Sequence, residues 1–184
     1  MIDFGKANRG RGAEAIVTVA CEEYRRQGRA LITKVPTPTT ILSKGGGFFK
    51  ARSICDFIGT LSGGRALAIE VKSTRNKGRF PLDRNTIKEN QLRYLQDNAA
   101  LGGVSVYLFL FSSGGFDHCQ VVLLPVLMGW IAERKSIPFN DLLRQTVGCA
   151  PVHFPLMPMV CDGFALPFTW DFLPALEKLS EGRR

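Results

Sequence analysis

Three charged residues in the first half of the chain have the types and spacing of a hydrolytic metal site. Asp56 lies 14 residues ahead of Glu70, and Lys72 follows Glu70 by two positions. Carboxylate oxygens are hard ligands for Mg²⁺, and a bound divalent metal acidifies a water molecule and stabilises the oxygens of a phosphodiester under attack. A neighbouring lysine can position that water or help to deprotonate it. The pattern predicts metal-dependent phosphodiester hydrolysis, with Asp56 and Glu70 as metal ligands.

Both acids lie in apolar stretches. Asp56 stands inside the run Ile-Cys-Asp-Phe-Ile of residues 54–58, and Glu70 follows Leu-Ala-Ile of residues 67–69. An unpaired charge in a buried strand is costly, so a functional role is the better explanation for each acid. The plain alternatives are a surface acid next to a turn for Asp56 and a solvated pair on an edge strand for Glu70 and Lys72.

The composition indicates how many domains the chain forms and what kind of partner it favours. A chain of 184 residues with 45% hydrophobic content is long enough for one globular core, so residues 1–184 are expected to form a single domain. Lys and Arg number 24 against 16 Asp and Glu, which gives a net charge of +8. Such a charge favours a polyanionic partner, although charge alone does not identify nucleic acid.

The five cysteines include no Cys-x-x-Cys pair and no histidine at metal-ligand spacing, so they are expected to be reduced thiols. No uninterrupted apolar run approaches the roughly 20 residues that span a bilayer. The expectation is therefore a cytoplasmic protein without a membrane partner.

The periodicity of apolar residues predicts both helices and strands. Helices are predicted at 13–24, 88–101, 125–134, 140–146 and 170–179, and strands at 30–34, 53–58, 66–71, 104–111 and 118–124. Ser-Gly-Gly at 62–64 is typical of a turn between antiparallel strands, so Asp56 and Glu70 are expected on paired strands. Residues 73–85 are expected to be a polar loop.

Basic residues lie within residues 36–52 and on both sides of the candidate site in the sequence. Residues 36–52 are rich in Pro, Thr, Ser and Gly and are expected to form a protrusion from the body. The basic residues that flank the candidate site in sequence suit contacts with backbone phosphates or form a solvated rim: Arg9, Arg11, Arg75, Lys77, Arg79 and Arg84.

An ordered set of short motifs resembles the RecU family of Holliday junction resolvases. The set runs from Asn-Arg-Gly at 8–10 and Glu14, through Lys-Val-Pro-Thr-Pro at 34–38, the Asp56 and Glu70-x-Lys72 pair and Phe-Pro-Leu at 80–82, to Gln91. Residues 164–173 also look like the closing segment of that family. The resemblance thus covers most of the chain.

The resemblance implies an α/β fold with the restriction-endonuclease-like core of the PD-(D/E)xK superfamily, in which helices flank a central mixed β-sheet. It also implies a homodimer and symmetric paired nicks in a four-way DNA junction during recombination and repair. Mg²⁺ is the implied cofactor, with Mn²⁺ able to substitute. A strand-exchange recombinase is an implied further partner.

The resemblance also assigns site residues. It implies Asp56, Glu70 and Glu14 as metal ligands, Lys72 as the water-positioning group, and Gln91 as a contact to water or phosphate. Glu14 is otherwise explained as a first-turn helix acid and Gln91 as a solvated helix residue. The family's stalk corresponds to residues 36–52, which are shorter and glycine-rich here. Within that segment, phosphate contacts are expected from Lys44, Lys50 and Arg52, and stacking on bases, or core or dimer contacts, from Phe48 and Phe49.

Two other functions fit the same sequence. The first is a related nuclease that acts on flaps, mismatches or a particular duplex sequence, with the same catalytic residues. The second is a non-catalytic protein that binds DNA junctions or modulates a recombinase. A carboxylate pair that binds no cation would favour the second.

Overall fold

The computed structural model describes most of the chain. The described residues are 9–36, 39–41, 48–50, 53–74, 78–112, 116–158, 160–161, 163–166 and 168–181. Four predicted DNA-binding residues lie outside them: Lys44, Arg52, Arg75 and Lys77.

The described ranges contain both helices and strands, as the periodicity predicts. The helices are α1 (Arg9–Arg26), α2 (Glu89–Ala100), α3 (Leu124–Glu133), α4 (Phe139–Gln145) and α5 (Leu173–Glu181). The strands of the first half are β1 (Ala30–Lys34), β2 (Thr39–Ile41), β3 (Phe48–Lys50), β4 (Phe57–Leu61), β5 (Ala66–Thr74) and β6 (Arg79–Pro81). Those of the second half are β7 (Val104–Ser112), β8 (Phe116–Leu123), β9 (Ser136–Pro138), β10 (Val147–Gly148), β11 (Ala150–Val152), β12 (Val160–Cys161), β13 (Phe164–Ala165) and β14 (Thr169–Asp171).

A six-stranded mixed sheet forms the centre, in the order β1-β4-β5-β7-β8-β10. Strands β5 and β7 are parallel, and α2 lies between them in the chain as the crossover. The other neighbouring pairs in this sheet are antiparallel. The pairing places Glu70 beside Tyr107 in the ladder.

Hydrophobic residues cover both faces of the sheet. On one face α1 packs with Leu67, Ile69 and Val71 of β5, and on the other α2 and α3 pack around Ala68 and Tyr107. Because side chains alternate along a strand, Glu70 and Lys72 belong to the second face. The predicted α/β fold, a central mixed sheet with flanking helices, is confirmed.

The local sequence explains where α1 ends and where β1 begins. Helix α1 buries Ile16, Val17 and Ala20, at helical spacing. It ends before Gly28, whose φ of 67° is the left-handed conformation that glycine adopts readily. Strand β1 follows over the predicted bounds.

Several predicted elements differ from the structure. The predicted strand at 53–58 begins only at Phe57, because residues 53–56 make a bend whose polar groups bond within the loop and to α2. The predicted loop at 73–85 contains β6, which pairs with β9. The predicted closing helix at 170–179 starts at Leu173, since Trp170 lies in β14 opposite Pro151.

The predicted protrusion at 36–52 is described only in part. Strands β2 and β3 pair with each other and with no other strand of the described chain. The protrusion itself remains a prediction.

Two further features bear on the sequence predictions. In the described ranges, no helix combines the length and the apolar character needed to span a bilayer. All five cysteines are free thiols, and Cys21, Cys55 and Cys119 are buried.

Candidate active site

Glu70 is the most deeply buried charged residue of the candidate site. It lies in the middle of β5, and only 1% of it is exposed. Its Oε1 accepts a hydrogen bond from Nζ of Lys72 at 2.5 Å. One lysine thus balances one oxygen of this carboxylate, within a sheet face that is otherwise packed with apolar residues.

Asp56 is held against β5 by backbone hydrogen bonds. Its Oδ2 accepts from the N–H of Val71 at 2.8 Å, and its own N–H donates to the carbonyl of Ile69 at 3.1 Å. These two contacts flank Glu70 in β5. The prediction that strand pairing brings the two acids together is therefore correct in outcome, although Asp56 lies just before β4 rather than inside a strand.

The loop that carries Asp56 is fastened to α2. Nδ2 of Asn90 donates to the carbonyl of Ser53 at 2.7 Å, and Oγ of Ser53 donates to the carbonyl of Cys55 at 2.6 Å. Both bonds are partly shielded from solvent. They leave the segment ahead of Asp56 little freedom, which keeps the acid close to Glu70.

Burial shifts the titration of both acids. Burial raises the pKa of Glu70 to about 8, and the negative charge of Asp56 adds to the shift against the opposing effect of Lys72. Burial also raises the pKa of Asp56, which the N–H of Val71 counteracts and Glu14 reinforces. The two carboxyl groups lie close enough to share a hydrogen bond when one is protonated. At neutral pH the pair therefore retains a proton unless a cation replaces it.

The donor atoms of this pair fit a hard divalent cation. Oε2 of Glu70 is buried and has no hydrogen-bond partner among the described residues. No group of three or more His, Cys, Asp and Glu side chains in the described ranges has the arrangement of a metal site. Mg²⁺ is commonly held by one or two carboxylates, with water and substrate phosphates as the other ligands. Asp56 and Glu70 match that pattern.

Gln91 approaches the same lysine from α2. Its Oε1 accepts a hydrogen bond from Nζ of Lys72 at 3.2 Å. Lysine carries three N–H donors, and these two contacts use two of them. The third can donate to a water molecule or to a phosphate oxygen.

Glu14 has a different setting from the other predicted ligands. It lies on α1, which packs on the opposite face of the sheet from α2, and its Oε2 is 3.2 Å from Nζ of Lys34. Its charge still raises the pKa of Asp56, so the two acids lie near each other. The structure thus brings together Asp56, Glu70, Lys72 and Gln91, with Glu14 beside this group in an ion pair.

The predicted DNA-binding residues differ in what the structure describes. Arg11 and Arg84 are exposed, and exposed Arg79 is anchored by donating to Oγ of Ser136 at 2.7 Å. For four others the backbone position alone is described: Arg9 in α1, and Phe48, Phe49 and Lys50 in β3.

Sequence reasoning missed two residues of the site. Asn90 fastens the Asp56 loop, and Tyr107 stands beside Glu70 in the ladder. Asn90 gave no signal, because a polar residue in the first turn of a helix is ordinary. Tyr107 left a weak signal, as the single aromatic residue with a hydroxyl in a mainly apolar strand.

Known proteins are similar to this chain over most of its length. The family model of recombination protein U, RecU, matches residues 8–159. The Holliday junction resolvase RecU of Geobacillus kaustophilus is 29% identical over 153 residues, which cover 75% of this chain and 74% of the relative. That of Leuconostoc citreum is 31% identical over 157 residues, covering 78% and 73%.

A solved structure of Archaeoglobus fulgidus Hjc, a Holliday junction resolvase from an archaeal hyperthermophile, matches with a TM-score of 0.44 and 15% identity. The match covers 72% of this chain and 93% of the archaeal one. The family model spans most of this chain and includes all the residues that form the candidate site. The chain therefore belongs to the RecU family.

Proposed function

We propose that the protein is a divalent-metal-dependent endonuclease that resolves Holliday junctions by paired nicks, as a homodimer in the cytoplasm. The observation that carries the proposal is the Asp56 and Glu70 pair. Buried Glu70 and half-buried Asp56 lie close together with one neighbouring lysine, and Oε2 of Glu70 lacks a partner in the described part of the chain. Family membership supplies the substrate, because relatives carry the name Holliday junction resolvase.

Asp56 and Glu70 would hold the divalent cation. When bound, such a cation supplies a water of lowered pKa and charge stabilisation for the phosphate oxygens under attack. Mg²⁺ suits the hard oxygen donors, and Mn²⁺ accepts the same ligands. Glu14 would serve as a further acid near the metal, and its Lys34 partner keeps its charge balanced when no metal is bound.

Lys72 positions the attacking water in this proposal. Its ammonium group is fixed from two sides, by Oε1 of Glu70 and Oε1 of Gln91, so its free N–H points in a restricted direction. A water held by that donor is oriented before the reaction, which removes part of the entropic cost of attack. Gln91 would act by fixing the position of Lys72, or by contacting a water molecule or a phosphate oxygen directly.

The basic surface would hold the junction. The net charge of +8 favours a polyanion, and exposed arginines such as Arg11 and Arg84 suit contacts with backbone phosphates. Residues 36–52 would reach the junction centre, with Lys44, Lys50 and Arg52 on phosphates and Phe48 and Phe49 on exposed bases. Two sites related by a two-fold axis would cut two strands of like polarity. A strand-exchange recombinase would be a further partner.

Cleavage of defined DNA structures tests the proposal. A labelled mobile four-way junction is incubated beside the matching linear duplex, flap and single strand, with Mg²⁺ or with EDTA. Asp56→Asn serves as the inactive variant, since it keeps an oxygen near the N–H of Val71 and removes the charge. Symmetric nicks confined to the junction and dependent on metal and Asp56 are expected.

Other outcomes identify the competing functions. Cleavage of flaps or duplex in preference to the junction would overturn the substrate and keep the nuclease. Tight junction binding without cleavage in Mg²⁺ or Mn²⁺ would indicate a non-catalytic binding protein.

A further inference from the structure

Tyr107 is a buried tyrosine whose hydroxyl has no hydrogen-bond partner among the described residues. It lies on β7, is 0% exposed, and stacks on Phe109 with ring centroids 6.0 Å apart. Buried tyrosine hydroxyls ordinarily find a partner, because an unpaired one costs free energy. Tyr24 shows the usual outcome: its hydroxyl donates to Asp171 and accepts from the N–H of Phe172, each at 2.8 Å. The unpaired hydroxyl of Tyr107 therefore calls for an explanation.

Glu70 is the neighbour of Tyr107 across the parallel ladder. Paired residues in adjacent strands project from the same face of the sheet. Burial raises the pKa of Tyr107, and the negative charges of Glu70 and Asp56 raise it further, so the phenol lies within electrostatic reach of both acids. Oε2 of Glu70 is itself buried without a partner in the described chain. An orphaned donor and an orphaned acceptor thus lie on neighbouring strands.

We propose that Tyr107 is a positioning residue whose hydroxyl donates a hydrogen bond to Oε2 of Glu70 after a side-chain rotation, since the two atoms are not within hydrogen-bonding distance of each other in this structure. The bond orients the Glu70 carboxylate toward the divalent cation. An ionised carboxylate oxygen has lone pairs for both interactions, so the hydrogen bond and the metal do not compete. The inference rests on the proposed function for the presence of the cation, and it concerns the metal site rather than the DNA.

The hydrogen bond would give the second oxygen of Glu70 a partner. Lys72 donates to Oε1 of Glu70, whereas Oε2 has no partner among the described residues. Carboxylates that bind metals are usually fixed by such outer hydrogen bonds, whose loss lowers metal affinity about 10- to 100-fold. Tyr107 touches neither the substrate nor the reacting atoms and acts through Glu70.

Binding of Mn²⁺ to the full chain without DNA gives the first readout. Tyr107→Phe removes one oxygen atom and keeps the ring that packs on Phe109. We expect Tyr107→Phe to bind Mn²⁺ about 10-fold more weakly than the wild type in calorimetry. Tyr24→Phe is the matched control: it loses the contacts to Asp171 and Phe172, so it lowers Tm, but it leaves Mn²⁺ affinity unchanged. Wild-type affinity in Tyr107→Phe would overturn the proposal.

The hydrogen bond itself gives a second readout, which reports on the Tyr107 hydroxyl rather than on metal affinity. Tyrosine labelled with ¹³C at Cζ yields signals for three residues, Tyr24, Tyr94 and Tyr107, each assigned by its Phe variant. We expect the Tyr107 signal to shift in Glu70→Ala and on addition of Mg²⁺. A Tyr107 signal that responds to neither overturns the proposal.

The measurements distinguish a failure of the proposed nuclease function from a failure of the proposed role of Tyr107. Junction cleavage is measured on the same preparations. A protein that cuts no junction, but whose Tyr107 signal depends on Glu70, keeps the hydrogen bond and overturns the nuclease. A protein that cuts junctions while both Tyr107 readouts stay unchanged overturns the positioning role alone.

Discussion

Nζ of Lys72 lies 2.5 Å from Oε1 of Glu70, two residues back on the same strand. Residues i and i+2 share a face of a strand, so this pair forms without any long-range contact. Burial then makes the pair costly to break, because Glu70 is 1% exposed and its other oxygen lacks a partner in the described chain. The same lysine reaches Gln91 on α2 and thus joins the sheet to the helix above it.

Replacement of Lys72 by methionine should abolish cleavage and keep junction binding. The variant keeps an unbranched side chain, one atom shorter, and removes the donors that orient the attacking water, a loss worth about 10²- to 10⁴-fold in rate. Single-turnover cleavage and junction affinity are measured together. Lys178→Met on α5 changes the same charge at an exposed position and should cleave normally. Equal loss in both variants would attribute the effect to net charge.

Gln91→Ala should reduce cleavage less than Lys72→Met does. Gln91 supplies one acceptor at 3.2 Å to Lys72, and its loss lets the ammonium group move without removing it. We expect a decrease of about 10-fold in the single-turnover rate, comparable to the loss of an outer hydrogen bond at a metal site. Gln96 lies on the same helix, and its amide nitrogen donates to the sulfur of Met128 at 3.6 Å, away from Lys72, so Gln96→Ala is the control. Its rate should match the wild type, and a similar decrease in both variants would contradict the role of Gln91.

The stability of the metal-free protein should fall as pH rises from about 5 to about 8. The pKa of Glu70 is raised from 4.5 to about 8, so the folded protein keeps a proton that the unfolded chain releases. Stability linked to such a group is present below the lower pKa and is lost as pH rises through the higher one. The raised pKa of Asp56 acts in the same direction. Chemical denaturation at several pH values in EDTA measures the effect.

Glu70→Gln should flatten this pH dependence, because the amide carries no titrating proton. A divalent cation must displace the retained proton, so its affinity for the wild type should rise with pH up to about 8. Metal titrations at pH 6 and pH 8 check the sign. Affinity that is equal at both values would contradict a protonated pair.

Gly59→Ala should destabilise the fold strongly, without any direct effect on the site. A Cβ on Gly59 would lie 2.1 Å from the carbonyl oxygen of Leu31 and 2.7 Å from Cα of Ile32, so β1 and β4 could not pair. We expect a loss of about 3 kcal/mol in the free energy of unfolding. Gly129→Ala in α3 meets open space and should gain about 0.5–1 kcal/mol. Thermal melts compare the two, and an unchanged Tm for Gly59→Ala would contradict the close approach.

The local sequence predicted an element well where the apolar periodicity agrees with the Gly or Pro residues that flank the element. Strand β1 has its predicted bounds because Ala30 and Ile32 alternate with exposed Leu31, between Gly28 and Pro36. Trp170 was wrongly placed in a helix, since its pairing with Pro151 is a long-range contact that no local pattern reveals.

The part of the site that depends on residues close together in the sequence could be predicted. Glu70 and Lys72 follow from strand alternation, and the turn at 62–64 brings Asp56 near them. The neighbourhood of Tyr107 could not be predicted, because the register between β5 and β7 is set by how the α2 crossover packs on the sheet. The Asn90 bond to Ser53 depends on the same packing.

Single-turnover cleavage of a four-way junction by the wild type and Glu70→Gln, at matched junction occupancy and in Mg²⁺, tests whether Glu70 holds the catalytic cation. Glu70→Gln keeps the volume and the oxygen that faces Lys72 and removes the charge that would hold the cation. We expect two opposed nicks by the wild type and an intact, fully bound junction with the variant. Paired nicks at the wild-type rate by Glu70→Gln would contradict this role of Glu70.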